Sequence, residues 1–260
     1  DVCSSDLDSI PPLNDDLAEK VTLKGKAPRI FAVVVGIADY EGSLADLQYS
    51  DDDARLFFNH LHSALPNEMA AGKSVLLLNR DATLNNITNT LQSIFSLSTE
   101  NDFIIFYFSG HGSPGSFCPT DYTQQLLNHS VVRNFFVKSK ARYRVCIADA
   151  CFSGSIGNGD NAFTVPSAMS EFSDSRLAVI MSSKPNQTSL ETSRLQQGVF
   201  SYYLVNGLKG KADLNNDSYI TMGELFIYTK SSVAHSTNGD QVPVVFGKEL
   251  NRIPLTRIKR

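Results

Sequence analysis

Short, almost continuously apolar runs alternate with longer amphipathic segments along most of this chain. The apolar runs predict strands that are buried on both faces. They cover 30–36, 74–79, 102–108, 143–148, 176–181 and 242–246. Apolar side chains at helical spacing predict helices at 51–65, after an N-cap at Thr83, at 130–140 and at 199–208. This alternation predicts an α/β fold, a three-layer α/β/α sandwich around a mostly parallel six-stranded sheet.

The chain is long enough for one sizeable core, with 260 residues of which 42% are hydrophobic. We expect one domain over 29–260, preceded by a polar leader at 1–28. Residues 1–7 are what one frame of a common sequencing adapter encodes, so we expect them not to be biological. The longest stretch without periodicity, 152–174, predicts a functional loop, and whether it is cut during activation stays open.

Charge and cysteine content narrow the function classes. The net charge is −4 with scattered lysines and arginines, so the sequence shows neither a nucleic-acid footprint nor a polybasic membrane patch. Four cysteines without regular spacing form neither a disulfide framework nor a paired zinc motif, and reducing conditions suit such a chain.

Two motifs follow directly on predicted strands. Ser109-Gly110-His111-Gly112 comes after 102–108, and Asp149-Ala150-Cys151-Phe152-Ser153-Gly154 comes after 143–148. The carboxyl ends of parallel strands open onto one crevice, so His111 and Cys151 can face each other across it. A thiol beside an imidazole is a nucleophile with its base.

At these motifs the chain resembles the caspase-like cysteine peptidases, and among them the metacaspases and bacterial caspase-family proteins. Further stretches in the family's order are similar, at 35–37, 51–54, 187–189 and 198–201. The resemblance implies a caspase-like fold and a cysteine endopeptidase with His111 and Cys151 as catalytic dyad. It also implies an oxyanion hole formed by the amides of Gly112 and Cys151.

The resemblance to metacaspases also implies a primary pocket lined by two aspartates, here Asp149 and Asp53. Two carboxylates in one pocket favour arginine or lysine before the scissile bond. The run Asp51-Asp52-Asp53 also has a simpler interpretation, as favourable negative charge at a helix N-terminus. Where the family's later loop reads Gln-Thr-Ser-Ala-Asp, this chain has Leu190 and Glu191, which leaves the substrate contacts of that loop open.

A second pattern occupies 213–224 and resembles an EF-hand calcium loop. Side-chain oxygens stand at positions 1, 3, 5 and 12 and a backbone carbonyl at position 7, supplied by Asp213, Asn215, Asp217, Glu224 and Tyr219. Against calcium, position 6 is not glycine, Gly210 interrupts the entering helix, and the loop has no second copy. A metal-free turn before a helix therefore stays an alternative.

We expect a Cys-His endopeptidase that cleaves protein or peptide substrates after basic residues, without an organic cofactor. Two alternatives stay open. One is a legumain-like peptidase or transamidase that prefers asparagine. The other is a catalytically silent, calcium-binding interaction module on the same fold.

Overall fold

The computed structural model describes residues 28–41, 46–151, 177–184, 187, 189–247 and 250–258, with the backbone alone at Cys151. Apart from Pro28, the predicted leader lies outside the described residues, as does the predicted loop at 152–174. The strands are β1 (Ile30–Gly36), β2 (Lys73–Leu78), β3 (Phe103–Ser113), β4 (Ser116–Phe117), β5 (Leu127–Asn128), β6 (Tyr143–Cys151), β7 (Leu177–Met181), β8 (Glu191–Thr192), β9 (Gln197–Gly198), β10 (Tyr219–Thr221), β11 (Val244–Phe246) and β12 (Pro254–Arg257). The α-helices are α1 (Ser50–Ala64), α2 (Pro66–Ala71), α3 (Leu84–Phe95), α4 (His129–Lys138), α5 (Val199–Asn206) and α6 (Met222–Ser236).

The central sheet has the strand order β11-β7-β6-β3-β1-β2. Neighbouring strands are parallel except for β11, which runs antiparallel to β7 at one edge. Every residue of β1 is buried, because helices cover both faces of the sheet. The predicted mostly parallel sheet is confirmed, with six strands in its main order. The short strands β4 and β5 pair on from β3 and bring the sheet to eight strands among the described residues.

Alternate side chains of β1 enter two separate cores. Phe31 and Val33 pack in the core on the side of α3 and α4. Ile30 and Val34 pack in the core on the side of α1, α5 and α6. This division follows from the two-residue period of a strand and confirms the three-layer sandwich.

The helices match the predictions in part. The predicted cap at Thr83 is confirmed, because its hydroxyl oxygen accepts a hydrogen bond from the Asn86 amide at 3.2 Å. The last predicted helix ends at Asn206 and continues as a π-helical turn, Gly207–Lys211. The helices α2 and α6 were not among the predictions. The first five residues of α6 are all buried. A helix start without an exposed side has no regular alternation of polar and apolar positions, so its helical period could not be recognised from the sequence.

Among the described residues, no helix has both the length and the apolar character that crossing a membrane requires.

Candidate active site at the carboxyl edge of the sheet

β3 and β6 end side by side at the carboxyl edge of the sheet. Their parallel register pairs His111 with Cys151 as the last partners of the two strands. Neighbouring strands lie about 4.8 Å apart, so the backbones of these two residues are adjacent. His111 is half-buried, and the side chain of Cys151 lies outside the described residues.

Tyr40 holds the end of β3, and no sequence pattern pointed to this role. Its buried hydroxyl accepts a hydrogen bond from the His111 backbone N–H at 2.7 Å and donates one to the Cys118 carbonyl at 3.3 Å. The rings of Tyr40 and His111 have centroids 5.0 Å apart. Burial raises the pKa of Tyr40 well above its usual value, so the hydroxyl keeps the proton that it donates. A Cβ atom at Gly110 would lie 2.6 Å from this hydroxyl, which explains the glycine before His111.

Gly112 lies where β3 turns back into β4. It pairs with Phe117, and the Cys118 amide donates to the His111 carbonyl at 3.0 Å. That bond makes Gly112 and Phe117 a non-hydrogen-bonded pair of the antiparallel ladder. The amide of Gly112 is therefore directed away from β4.

Asp149, two residues before Cys151, is 5% exposed and surrounded by hydroxyl groups. Its Oδ2 accepts a hydrogen bond from the Ser201 hydroxyl at 2.6 Å, and its Oδ1 accepts one from the Ser189 hydroxyl. The Tyr107 hydroxyl lies 2.6 Å from Ser201 Oγ and extends this network into the core. Burial raises the pKa of Asp149, and the donated hydrogen bonds oppose that rise.

Asp53 meets Asp149 beside Gly198. Both carboxylate oxygens of Asp53 accept the Gly198 amide, each at 3.1 Å. A Cβ atom at Gly198 would lie 2.6 Å from Asp53 Oδ2 and 3.0 Å from Asp149 Oδ2, so the two carboxylates border the same small space. Burial, and then the charge of Asp149, raise the pKa of Asp53 well above its usual value. The structure thus brings together the two aspartates predicted for the pocket.

The three consecutive aspartates of α1 have different surroundings. Asp52 is exposed, and Asp51 is half-buried and accepts a hydrogen bond from the Asn79 side chain at 3.1 Å. Asp53 alone of the three is buried, at 1% exposure. A favourable interaction with the helix N-terminus is enough to explain the exposed Asp52. It does not explain Asp53, because burying a carboxylate beside Asp149 costs free energy.

The segment that leads into α5 connects these groups, and the sequence left its role open. Glu191 accepts hydrogen bonds from the backbone amides of Gln48 and Tyr49, both at 3.0 Å, just before α1. Gln241 accepts the Leu190 amide at 3.0 Å and donates to the Ser189 hydroxyl at 3.1 Å. This segment therefore holds the N-terminus of α1 as well as the Asp149 side chain. The one signal in the sequence was the similarity of 187–189 and 198–201 to the family.

The two other cysteines that the structure describes are poor nucleophiles. Cys118 and Cys146 are both fully buried. Burial raises the pKa of each thiol to about 12, so neither supplies a thiolate near neutral pH.

The residues predicted for calcium follow the π-helical segment: Asp213, Asn215 and Asp217 lie in the turn before β10, Tyr219 begins β10, and Glu224 lies in the first turn of α6. Asn215 and Asp217 are exposed, Asp213 is half-buried and Glu224 is buried. Within the described ranges, no three His, Cys, Asp or Glu side chains are grouped so that they could hold a metal ion.

Comparisons with known proteins give the family. A family model described as the caspase domain, peptidase C14, matches residues 29–252. No curated protein matches the chain. A crystal structure of a structural-genomics target from Geobacter sulfurreducens is similar with a TM-score of 0.62 and 14% sequence identity, over 89% of this chain and 100% of that one. At that identity the likeness supports the fold alone. The family model covers most of the chain, and the protein therefore belongs to the caspase domain family of cysteine peptidases.

Proposed function

We propose that this protein is a cysteine endopeptidase in which Cys151 is the nucleophile and His111 moves the proton. The observation that carries the proposal is the register that pairs His111 with Cys151 at the ends of β3 and β6. Paired residues of neighbouring strands direct their side chains to the same face of a sheet. A thiol and its general base must lie within hydrogen-bonding reach, and adjacent backbone positions support that role for Cys151 and His111.

The reaction follows from these groups. His111 takes the proton of the Cys151 thiol, and the resulting thiolate attacks the peptide carbonyl carbon. The C–N bond then breaks, His111 gives its proton to the departing amine, and a thioester to Cys151 remains. Water then hydrolyses the thioester and releases the new carboxyl group and the free thiol. The oxyanion needs N–H donors, and we assign this role to the amides of Gly112 and Cys151. The direction of the Gly112 amide, away from β4, supports the assignment.

The residue before the scissile bond is arginine or, less favourably, lysine. Asp149 and Asp53 bring two carboxylates to one space beside Gly198. A guanidinium can bind two carboxylates through its planar set of N–H donors, whereas an ammonium lacks that geometry. The exclusion of water strengthens such a contact well beyond that of an exposed ion pair.

The test is a series of fluorogenic peptides that differ only in the residue before the scissile bond. We expect arginine to exceed its neutral isostere citrulline by at least about 100-fold in kcat/KM, with lysine second. Preferred turnover of aspartate would refute the pocket assignment, and preferred turnover of asparagine would identify the legumain-like alternative. Absence of any turnover, together with unchanged Cys151 alkylation in a His111→Ala variant, would favour the silent module.

A further inference from the structure

The turn at 213–224 has a backbone that matches its sequence pattern. Three side-chain oxygens accept amides within the turn: Ser218 N–H to Asp213 Oδ2 at 3.2 Å, Asp217 N–H to Asn215 Oδ1 at 3.0 Å and Tyr219 N–H to Asp217 Oδ1 at 2.7 Å. Ser218 has φ +70°, the left-handed conformation that usually favours glycine. Serine at position 6 therefore makes the turn for which EF-hand loops use glycine.

Within the part of the chain that the structure describes, a strand supports this loop. β10, which begins at Tyr219, pairs with the antiparallel strand β12 through Tyr219 with Arg257 and Ile220 with Thr256. Ile220 is fully buried, and the Ile258 amide donates to the Ser218 carbonyl at 2.9 Å. A strand near the chain's end thus supports this loop where a paired EF-hand would use its twin.

Glu224 is the observation that points to a cation. It is 1% exposed, and its Oε2 accepts hydrogen bonds from the Thr221 amide at 2.9 Å and the Thr221 hydroxyl at 2.8 Å. Its Oε1 is buried and has no hydrogen-bond partner among the described residues. Burying a carboxylate oxygen without a partner costs free energy, which a bound cation would recover.

We propose that the 213–224 loop binds one Ca²⁺ ion, a site distinct from the proposed peptidase centre and independent of it. The ligands are side-chain oxygens of Asp213, Asn215, Asp217 and Glu224 and the backbone carbonyl of Tyr219. Among the described residues the carboxylates do not form a preassembled cluster, so they must move towards the ion. Calcium accepts irregular oxygen cages of six to eight ligands, whereas magnesium demands a near-ideal octahedron, so calcium is the preferred ion.

Glu224→Gln is a sharp test because glutamine preserves the fold of the helix start. A capping box accepts glutamine as well as glutamate, so the contacts to Thr221 can persist while the charge is lost. In calorimetric titrations of the full chain, we expect one calcium per wild-type molecule and binding weakened at least about tenfold in Glu224→Gln. Glu100→Gln, the same change at an exposed glutamate, should bind like the wild type.

Tyr219 gives a second, site-specific signal. The chain contains no tryptophan, and Tb³⁺ bound at this loop should emit when tyrosine is excited. Tyr219→Phe should remove most of that emission and leave calcium binding unchanged, because position 7 contributes only its carbonyl. The proposal is overturned if the wild type shows no saturable calcium binding up to about 1 mM, or if Glu224→Gln binds equally well. Peptidase activity enters neither readout, so these results do not depend on the proposed function.

Discussion

The two candidate sites are built in opposite ways. The proposed calcium loop takes all its ligands from twelve consecutive residues, and its turn is made by hydrogen bonds between near neighbours. The proposed active site joins β3, β6, α1 and the segment before α5, and Gly198 bonds Asp53 across 145 positions of sequence. A local site can be recognised from spacing alone. A site assembled across a sheet depends on contacts that only folding creates. We expect variants at this site to lose function while they keep the fold.

The largest expected effect is that of Cys151→Ala. Without the thiol no thioester can form, so kcat should fall by at least about 1000-fold. The melting temperature should hardly change, because Cys151 is the last residue of β6, where the carboxyl ends of the strands lie. Cys146→Ala should do the reverse, lowering the free energy of unfolding by about 1 kcal/mol with activity retained, because Cys146 is fully buried. Peptide turnover and thermal unfolding of both variants provide the check, and near-normal turnover by Cys151→Ala would contradict the assignment.

The next effect concerns the aspartate pair. Asp149→Asn and Asp53→Asn should each lower kcat/KM for the arginine peptide about 100-fold and leave the citrulline peptide nearly unchanged. The folded-state pKa of Asp53 is raised, so its contribution to stability is present at low pH and is lost as pH rises through that pKa. Asp53→Asn should therefore match or exceed the wild type in melting temperature at pH 8. A large loss of stability at pH 8 would instead indicate a structural role.

The pH dependence of the preference for arginine over citrulline should report on the same two aspartates, Asp53 and Asp149. A protonated carboxyl no longer attracts a guanidinium, so the arginine-to-citrulline ratio of kcat/KM should fall as pH decreases through the raised pKa values of Asp53 and Asp149. The ratio should fall at a pH above 3.8, which is the ordinary pKa of an aspartate side chain. Taking the ratio cancels any effect of pH on the catalytic step, which both peptides share. A ratio independent of pH would argue against these carboxylates.

Tyr40→Phe should have a smaller effect. Phenylalanine keeps the ring beside His111 but removes the hydroxyl that accepts the His111 amide, so the imidazole should be held less well. We expect kcat to fall about tenfold with KM unchanged, together with a shifted pH profile of kcat. A change in KM alone would place Tyr40 in substrate binding instead of positioning.

The smallest effect is expected at the local site. Ser218 holds a left-handed conformation that costs little for glycine, so Ser218→Gly should raise the free energy of unfolding by about 0.5 kcal/mol. Leu214→Gly is the control, because Leu214 is exposed in the same turn and is not among the residues with positive φ. In chemical denaturation, Leu214→Gly should leave the free energy of unfolding unchanged or lower it. If both substitutions raised it equally, the left-handed conformation of Ser218 would not be the cause.

The sequence by itself predicted the six strands that form the main order of the central sheet, and it pointed to the His111 and Cys151 motifs after two of them as the candidate site. The predicted strands ended at 108 and 148, whereas β3 and β6 continue through the motifs to Ser113 and Cys151. Apolar runs are local, and a strand covered on both faces needs no distant information to be recognised. Thr83 was readable for the same reason, because a helix cap acts within three residues.

Only the tertiary structure showed that Tyr40 holds His111. The resemblance to metacaspases had already singled out Asp53, and the structure showed that Asp53, alone among the three adjacent aspartates, is buried beside Asp149. The structure also supplied Ser189 and Ser201 as the hydroxyl groups that bond Asp149, Glu191 as the acceptor for backbone amides before α1, and β12 as the partner of the 213–224 loop. These residues carry no periodic signal. A serine or an aspartate is the same letter in the sequence whether its side chain faces water or contacts a distant segment. Their partners are chosen by the packing of the helices on the sheet, and that packing brings distant segments within hydrogen-bonding distance.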